Sequence, residues 1–136
     1  MPLTISAMQP TRRGPEDYFT GDVLLQPVIQ SPEPAALNGS IVTFAPGART
    51  AWHTHPKGQT LHVLSGEGLV QEEGGPARLI RAGDTVWIPE NLRHWHGATA
   101  ERSMVHLAIQ GEVNGSAADW AEQVTPEDYA AAQPGR

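Results

Sequence analysis

The chain has 136 residues, no cysteine, and 15 acidic against nine basic residues, for a formal net charge of −6. One domain of this length can bury a real core, and its acidic balance argues against a nucleic-acid groove or an anionic membrane surface as partner. Without cysteine there are no disulfides, thiol nucleophiles or thiolate metal sites, so any metal must be held by His, Gln or carboxylates.

No apolar run is long enough to span a bilayer. The opening "MPLTISAMQPTRRGPEDYF" lacks the charged-then-apolar order of a secretion signal, so the expected compartment is the cytoplasm. Residues 1–20 read as a polar, irregular N-terminal arm with one helical turn at "PEDYF". From there to residue 113 the pattern is that of an all-β barrel. "DVLLQPVI" (22–29) is a strand interrupted by Pro27 and therefore placed at an edge. After the loop "SPEPAALNG" comes the strand "SIVTFA", with Ser40, Val42 and Phe44 on one face. "TLHVLSGEGLVQEE" reads as two strands, and "ARLIRAGD", "TVWIP", "RHWHGA" and "SMVHLAIQG" as one each. Residues 114–136 form a C-terminal tail whose "TPEDYAAAQ" signals a short helix: Thr125 as N-cap, Pro126 in the first turn, Asp128 for the capping box.

All six histidines lie between positions 53 and 106, and four of them form the i, i+2 pairs His53/His55 and His94/His96. Residues two apart on an extended segment point to one side, so each pair can converge on one point. Gln59 has the parity of His53 and His55 if the Pro56-Lys57-Gly58 turn preserves it. His96 shares the parity of His94 and is expected in the pocket, whereas His62 is expected to be structural. On "SMVHLAIQ", Met104, His106, Ala108 and Gln110 share one face, and Val105, Leu107 and Ile109 share the other. The mixed face reads as barrel interior and the aliphatic face as packing against a neighbouring layer. His106 is the expected proton shuttle, kept neutral by a nearby dication. Trp52, Trp87 and Trp95 read as packing residues rather than substrate platforms.

The frame Gly47-x5-His53-x-His55-x3-Gln59-x6-Gly66, followed by Gly83-x5-Pro89-x-Asn91-x2-His94-x3-Ala98, resembles the two-motif signature of the cupin superfamily. The resemblance implies a double-stranded β-helix, jelly-roll-like barrel with a metal inside. Carried over by position, the ligands are His53, His55, Gln59 and His94. Gln59 stands where the pattern has Glu, Asn91 where it has Gly, and Ala98 where it has Asn. Asn tolerates a left-handed turn second only to Gly. Gln59 alone alters the chemistry, because four neutral ligands leave a divalent ion its full charge and make it a stronger Lewis acid.

"GPEDYFTG", "TFAPGARTAWHTHPKGQTL", "HWHGA", "HLAIQ" and "DW…VT", spread over roughly residues 14–129, look like the small bacterial cupin hydroxynitrile lyases, a manganese-dependent group. That likeness implies reversible cleavage of mandelonitrile-like cyanohydrins to aldehyde and HCN, with His106 as acid/base and Ser40, Val42 and Gln110 at pocket positions. Manganese(II) is the first expectation for the single ion; iron(II), zinc(II), nickel(II) and cobalt(II) suit the same nitrogen and oxygen donors. An iron-dependent dioxygenase cleaving C–C bonds of a chelating substrate, and a non-catalytic binding cupin, both stay open. By family analogy the chain is expected to form a homodimer or homotetramer.

Overall fold

In the computed structural model, which describes residues 2–135, the chain alternates short strands with turns and ends in one helix. In chain order the strands are β1 (Arg12–Arg13), β2 (Phe19–Thr20), β3 (Val23–Gln30), β4 (Leu37–Phe44), β5 (Arg49–Thr50), β6 (His53–Thr54), β7 (Gln59–Glu72), β8 (Arg78–Arg81), β9 (Thr85–Ile88), β10 (His94–Ala98), β11 (Met104–Gly111) and β12 (Asp119–Trp120). The helix is α1 (Pro126–Ala131). Every strand pairing is antiparallel. One sheet runs β1-β3-β4-β11-β7-β9, and the other joins β8, β7, β10, β5 and β2, with β6 and β12 alongside β10.

The long strand β7 belongs to both sheets. Gln59–Gly66 pairs with β11, and Gly68–Glu72 pairs with β10. The two strands expected in this stretch are thus one bent strand of 14 residues. Gly66 permits the bend: its φ is +78°, and a Cβ there would lie 2.0 Å from the Ser103 carbonyl oxygen. A left-handed residue with no side chain lets the chain turn from one ladder into the next without a break.

Strand parity sets the interior. Val42, Phe44, Leu61, Val63, Met104 and Ala108 point inward and form the core with Phe19, Val23, Ile80 and Ile88. The edge placement of Pro27 agrees with the ladder: beyond Leu25 the outer side of β3 has no strand partner among the described residues, and the register with β4 shifts between Pro27 and Ile29. Val105, Leu107 and Ile109 form the other face of β11 and are half-buried, while Met104, His106 and Ala108 on the inner face are buried.

The N-terminal arm is not irregular throughout. β1 lies against β3, and β2 pairs with β5, which brings Phe19 into the core. The segment "PEDYF" makes the single helical turn expected of it, with the Tyr18 and Phe19 N–H groups donating to Pro15 O at 3.0 and 3.2 Å. At the other end, Thr125 Oγ1 accepts a hydrogen bond from the Asp128 N–H at 3.1 Å, as its N-cap position requires. The helix lies over the outside of the second sheet, where Tyr129 joins Leu69, Trp95 and Val124 in a smaller core. Its hydroxyl donates to Ala98 O at 2.6 Å, and the Arg49 guanidinium sits 4.2 Å from its ring centre. Each apolar side chain so buried contributes on the order of 1.5–3 kcal/mol. Among the described residues no helix is long and apolar enough to cross a membrane.

Candidate metal centre

The pairing His94↔His53 places the two histidine motifs directly opposite each other on β10 and β6. The Pro56–Gly58 turn then returns the chain so that Gln59 enters at the start of β7. Two amide N–H groups, from Gly58 and Asn91, converge on the His55 carbonyl at 3.2 and 2.9 Å. Gly58 and Asn91 reach it with φ of +76° and +59°, so Asn91 does adopt the left-handed turn expected of it. Five imidazoles share this interior, all of them buried: His53, His55, His94, His96 and His106.

Three of these rings are fixed by the same device. Nδ1 of His53 bonds Ala51 O at 2.9 Å, Nδ1 of His55 bonds Ala117 O at 2.7 Å, and Nδ1 of His94 bonds Leu92 O at 2.9 Å. A carbonyl only accepts, so each Nδ1 carries the hydrogen and each Nε2 keeps a lone pair. His55 Nε2 is buried without a hydrogen-bond partner. His94 Nε2 faces Gln59 Oε1 at 3.3 Å. That contact sets one lone pair against another, an arrangement that a cation between them resolves. The donor set therefore fits a divalent metal, and the anchoring carbonyls are the outer partners that metal-binding histidines ordinarily have.

The remaining pair is different. His106 Nε2 and His96 Nδ1 are 3.0 Å apart and share one hydrogen, leaving His96 Nε2 and His106 Nδ1 buried without partners. His53, His94 and His96 also form a compact group, with ligand atoms within 4.8 Å of one another. This compact group takes His96 in place of the expected His55, whose ring centre lies 4.8 Å from that of His53 and 5.5 Å from that of His94.

Burial, which penalises the charged form, lowers the pKa of all five. For His53 the neighbouring His94 and His55 add to the effect, and for His96 so does His106. His55 is lowered by burial against the opposing pull of Ala117 O. His94 and His106 are each lowered to about 4, again chiefly by burial. All five rings are neutral at pH 7, so no proton has to be removed before a metal binds.

The site opens into a cavity of about 330 Å³. Ser40, Val42, His96, His106 and Gln110 line it, as do His53, His55 and Gln59. Its remaining wall came from residues that sequence reasoning passed over. Trp120 stacks on His53 at 4.5 Å between ring centres and on Tyr18 at 4.6 Å, and it meets Phe19 at 5.8 Å. The register Trp120↔His53 between β12 and β6 makes this contact, and no periodicity in the sequence signals it. Among the other tryptophans, Trp95 is fully buried, Trp52 carries Arg93 on its face, and Trp87, though 60% exposed, packs its ring edge against Gly58. His62 lies outside the site, with Nδ1 on Thr85 Oγ1 at 2.8 Å.

The cupin domain family matches residues 40–110, the segment from β4 through β11 that builds this site. The chain belongs to the cupin family. A curated bacterial relative, the (R)-mandelonitrile lyase of Granulicella tundricola, is 53% identical over 121 residues, covering 89% of this cupin and 92% of that protein. Among solved structures, a cupin-like protein from Thermotoga maritima superposes with a TM-score of 0.86 at 39% identity, over 98% of this chain and all of its own. A cupin-2 domain from Rhodospirillum rubrum shares the fold, with a TM-score of 0.66 at 21% identity over 96% of this chain and 86% of that one.

Proposed function

We propose that this cupin is a metal-dependent carbon–carbon lyase that cleaves and forms cyanohydrins of the mandelonitrile type. The observation that carries the reading is one cavity holding both an inward-facing nitrogen and oxygen donor set and a neutral, partner-poor His96–His106 pair. The 53% identity to a protein named (R)-mandelonitrile lyase supports the same chemistry.

His53, His55, His94 and Gln59 are the proposed ligands, because their free Nε2 and Oε1 atoms are fixed in direction, whereas His96 is engaged with His106. A divalent ion bound there, manganese(II) in this proposal, would act as a Lewis acid toward negative charge developing on the substrate's hydroxyl oxygen. Iron(II), zinc(II), nickel(II) and cobalt(II) suit the same donors. Neutral ligands leave that ion its full charge.

His106 does the proton work. Neutral at pH 7 and joined through Nε2 to His96 Nδ1 at 3.0 Å, it accepts the hydroxyl proton at Nδ1, its ring nitrogen without a partner. As the carbon–oxygen double bond forms, the bond to the nitrile carbon breaks and its electron pair leaves with cyanide. The proton then passes from His106 to cyanide, giving HCN. Trp120, Tyr18 and Phe19 form an aromatic wall for the aryl ring, and Leu25, Val42 and Ala108 keep water from the reacting carbon.

The test is benzaldehyde release from racemic mandelonitrile by manganese-loaded protein, in air and under argon. Turnover should be the same in both and should fall at least ~100-fold in His106→Ala, the lower range for losing a positioned acid/base. Release no greater than that of His106→Ala refutes the mechanism. Turnover that stops under argon replaces it with oxygen-dependent C–C cleavage.

A further inference from the structure

Gln59 is an ambiguous ligand by itself, since an amide can present either its oxygen or its NH2 group to a neighbour. What stands behind it decides which. The ladder sets Asn38 of β4 opposite Gln110 of β11, and Gln110 opposite Gln59 of β7, so three amide side chains form one row across neighbouring strands. Gln59 Nε2 donates to Gln110 Oε1 at 3.0 Å. Gln110 Nε2 donates to Asn38 Oδ1. Asn38 Nδ2 donates to Glu112 Oε1 at 2.9 Å. Glu112 follows the end of β11 and is pinned there by its own N–H, which donates to Ala36 O at 2.8 Å.

Three amides alone could run in either direction, because flipping all of them preserves every bond between them. A carboxylate accepts only. Glu112 therefore obliges Asn38 to offer its NH2 and turns the Asn38 oxygen to Gln110. The same constraint passes along the row until Gln59 turns its NH2 to Gln110 and its Oε1 to the interior, 3.3 Å from His94 Nε2. Bonds aligned head to tail also polarise one another, so the last oxygen carries more negative charge than an isolated amide oxygen.

We propose that Glu112, Asn38 and Gln110 form a one-way hydrogen-bonded relay that holds the Gln59 oxygen toward the metal position and transmits to it part of the Glu112 charge. They are positioning residues, and the inference rests on the metal reading of this site. The relay gives a neutral ligand some of a carboxylate's donor strength while the carboxylate itself stays at the rim.

The test is manganese(II) titration of metal-free protein by calorimetry, without substrate. Glu112→Gln removes the group that sets direction and should weaken binding roughly tenfold, the low end for losing an outer partner of a metal ligand. The double variant Asn38→Asp/Glu112→Gln puts an acceptor-only group next to Gln110 Nε2 and should restore affinity to within about twofold of the parent. Thermal midpoints of the metal-free forms show that all three are folded. Glu112→Gln binding as tightly as the parent, or a double variant as weak as the single, overturns the relay. A parent that binds no manganese(II) overturns the metal reading and the relay with it. Rescue of binding in a protein that does not turn over mandelonitrile supports the relay and refutes only the lyase.

Discussion

Acid should unfold the metal-free protein well above the range where carboxylates usually act. His94 and His106 are each lowered to about 4 by burial, against an ordinary value of 6.5. Between those values the unfolded chain binds protons that the folded one does not, so the stability these groups contribute is complete above pH 6.5 and is lost as pH falls toward 4. At 1.36 kcal/mol per pKa unit the full effect is about 3 kcal/mol for each ring. Between pH 7 and pH 5 the linkage relation gives about 2 kcal/mol each, roughly 4 kcal/mol for the pair. His53, His55 and His96 shift in the same direction and add to this. A loss of that size is a large share of the roughly 5–15 kcal/mol available to a domain. The assay is guanidinium unfolding in chelator at pH 7, 6 and 5, above the window in which ordinary carboxylates titrate. His106→Gln should reduce the loss by about 2 kcal/mol. A parent that loses less than ~1 kcal/mol across those two units refutes the claim that the interior rings are held neutral by burial.

Replacing the neutral ligand by a charged one, Gln59→Glu, should tighten manganese(II) binding and lower kcat, since the site loses a unit of net positive charge; calorimetry and mandelonitrile turnover check both, and an unaltered kcat would refute the role given to ligand neutrality. Trp120→Ala removes the ring that stacks on His53 and walls the cavity. It should raise KM for mandelonitrile roughly tenfold while changing KM for a small aliphatic cyanohydrin much less, and equal changes would deny it an aryl-binding role. Gly66→Ala would force a Cβ to within 2.0 Å of Ser103 O at a φ of +78°, so the thermal midpoint should fall by roughly 10 °C or more, and a shift under a few degrees would refute the account of the β7 bend.

The strand pattern, the inward parity of the strands and the shared face within each of the pairs His53/His55 and His94/His96 were legible in the sequence, because residues two apart on a strand share a face whatever the rest of the chain does, while the set His53, His55, Gln59 and His94 was what the cupin resemblance implied. The sequence also marked His106, whose face mixes polar and apolar groups where its neighbours are uniformly aliphatic. The aliphatic face opposite is half-buried in the chain, since burial periodicity shows which residues avoid water and not how completely they are covered. The rest comes from contacts between strands distant in the chain. Trp120 reaches His53 through a pairing 67 residues distant in the chain, as its register with β6 shows. The opposition of Gln59 Oε1 to His94 Nε2, the shared hydrogen between His96 and His106, and the row from Glu112 to Gln59 all depend on which strands lie side by side. Hydrogen-bond direction follows from neighbours across the sheet, and those neighbours come from distant parts of the chain.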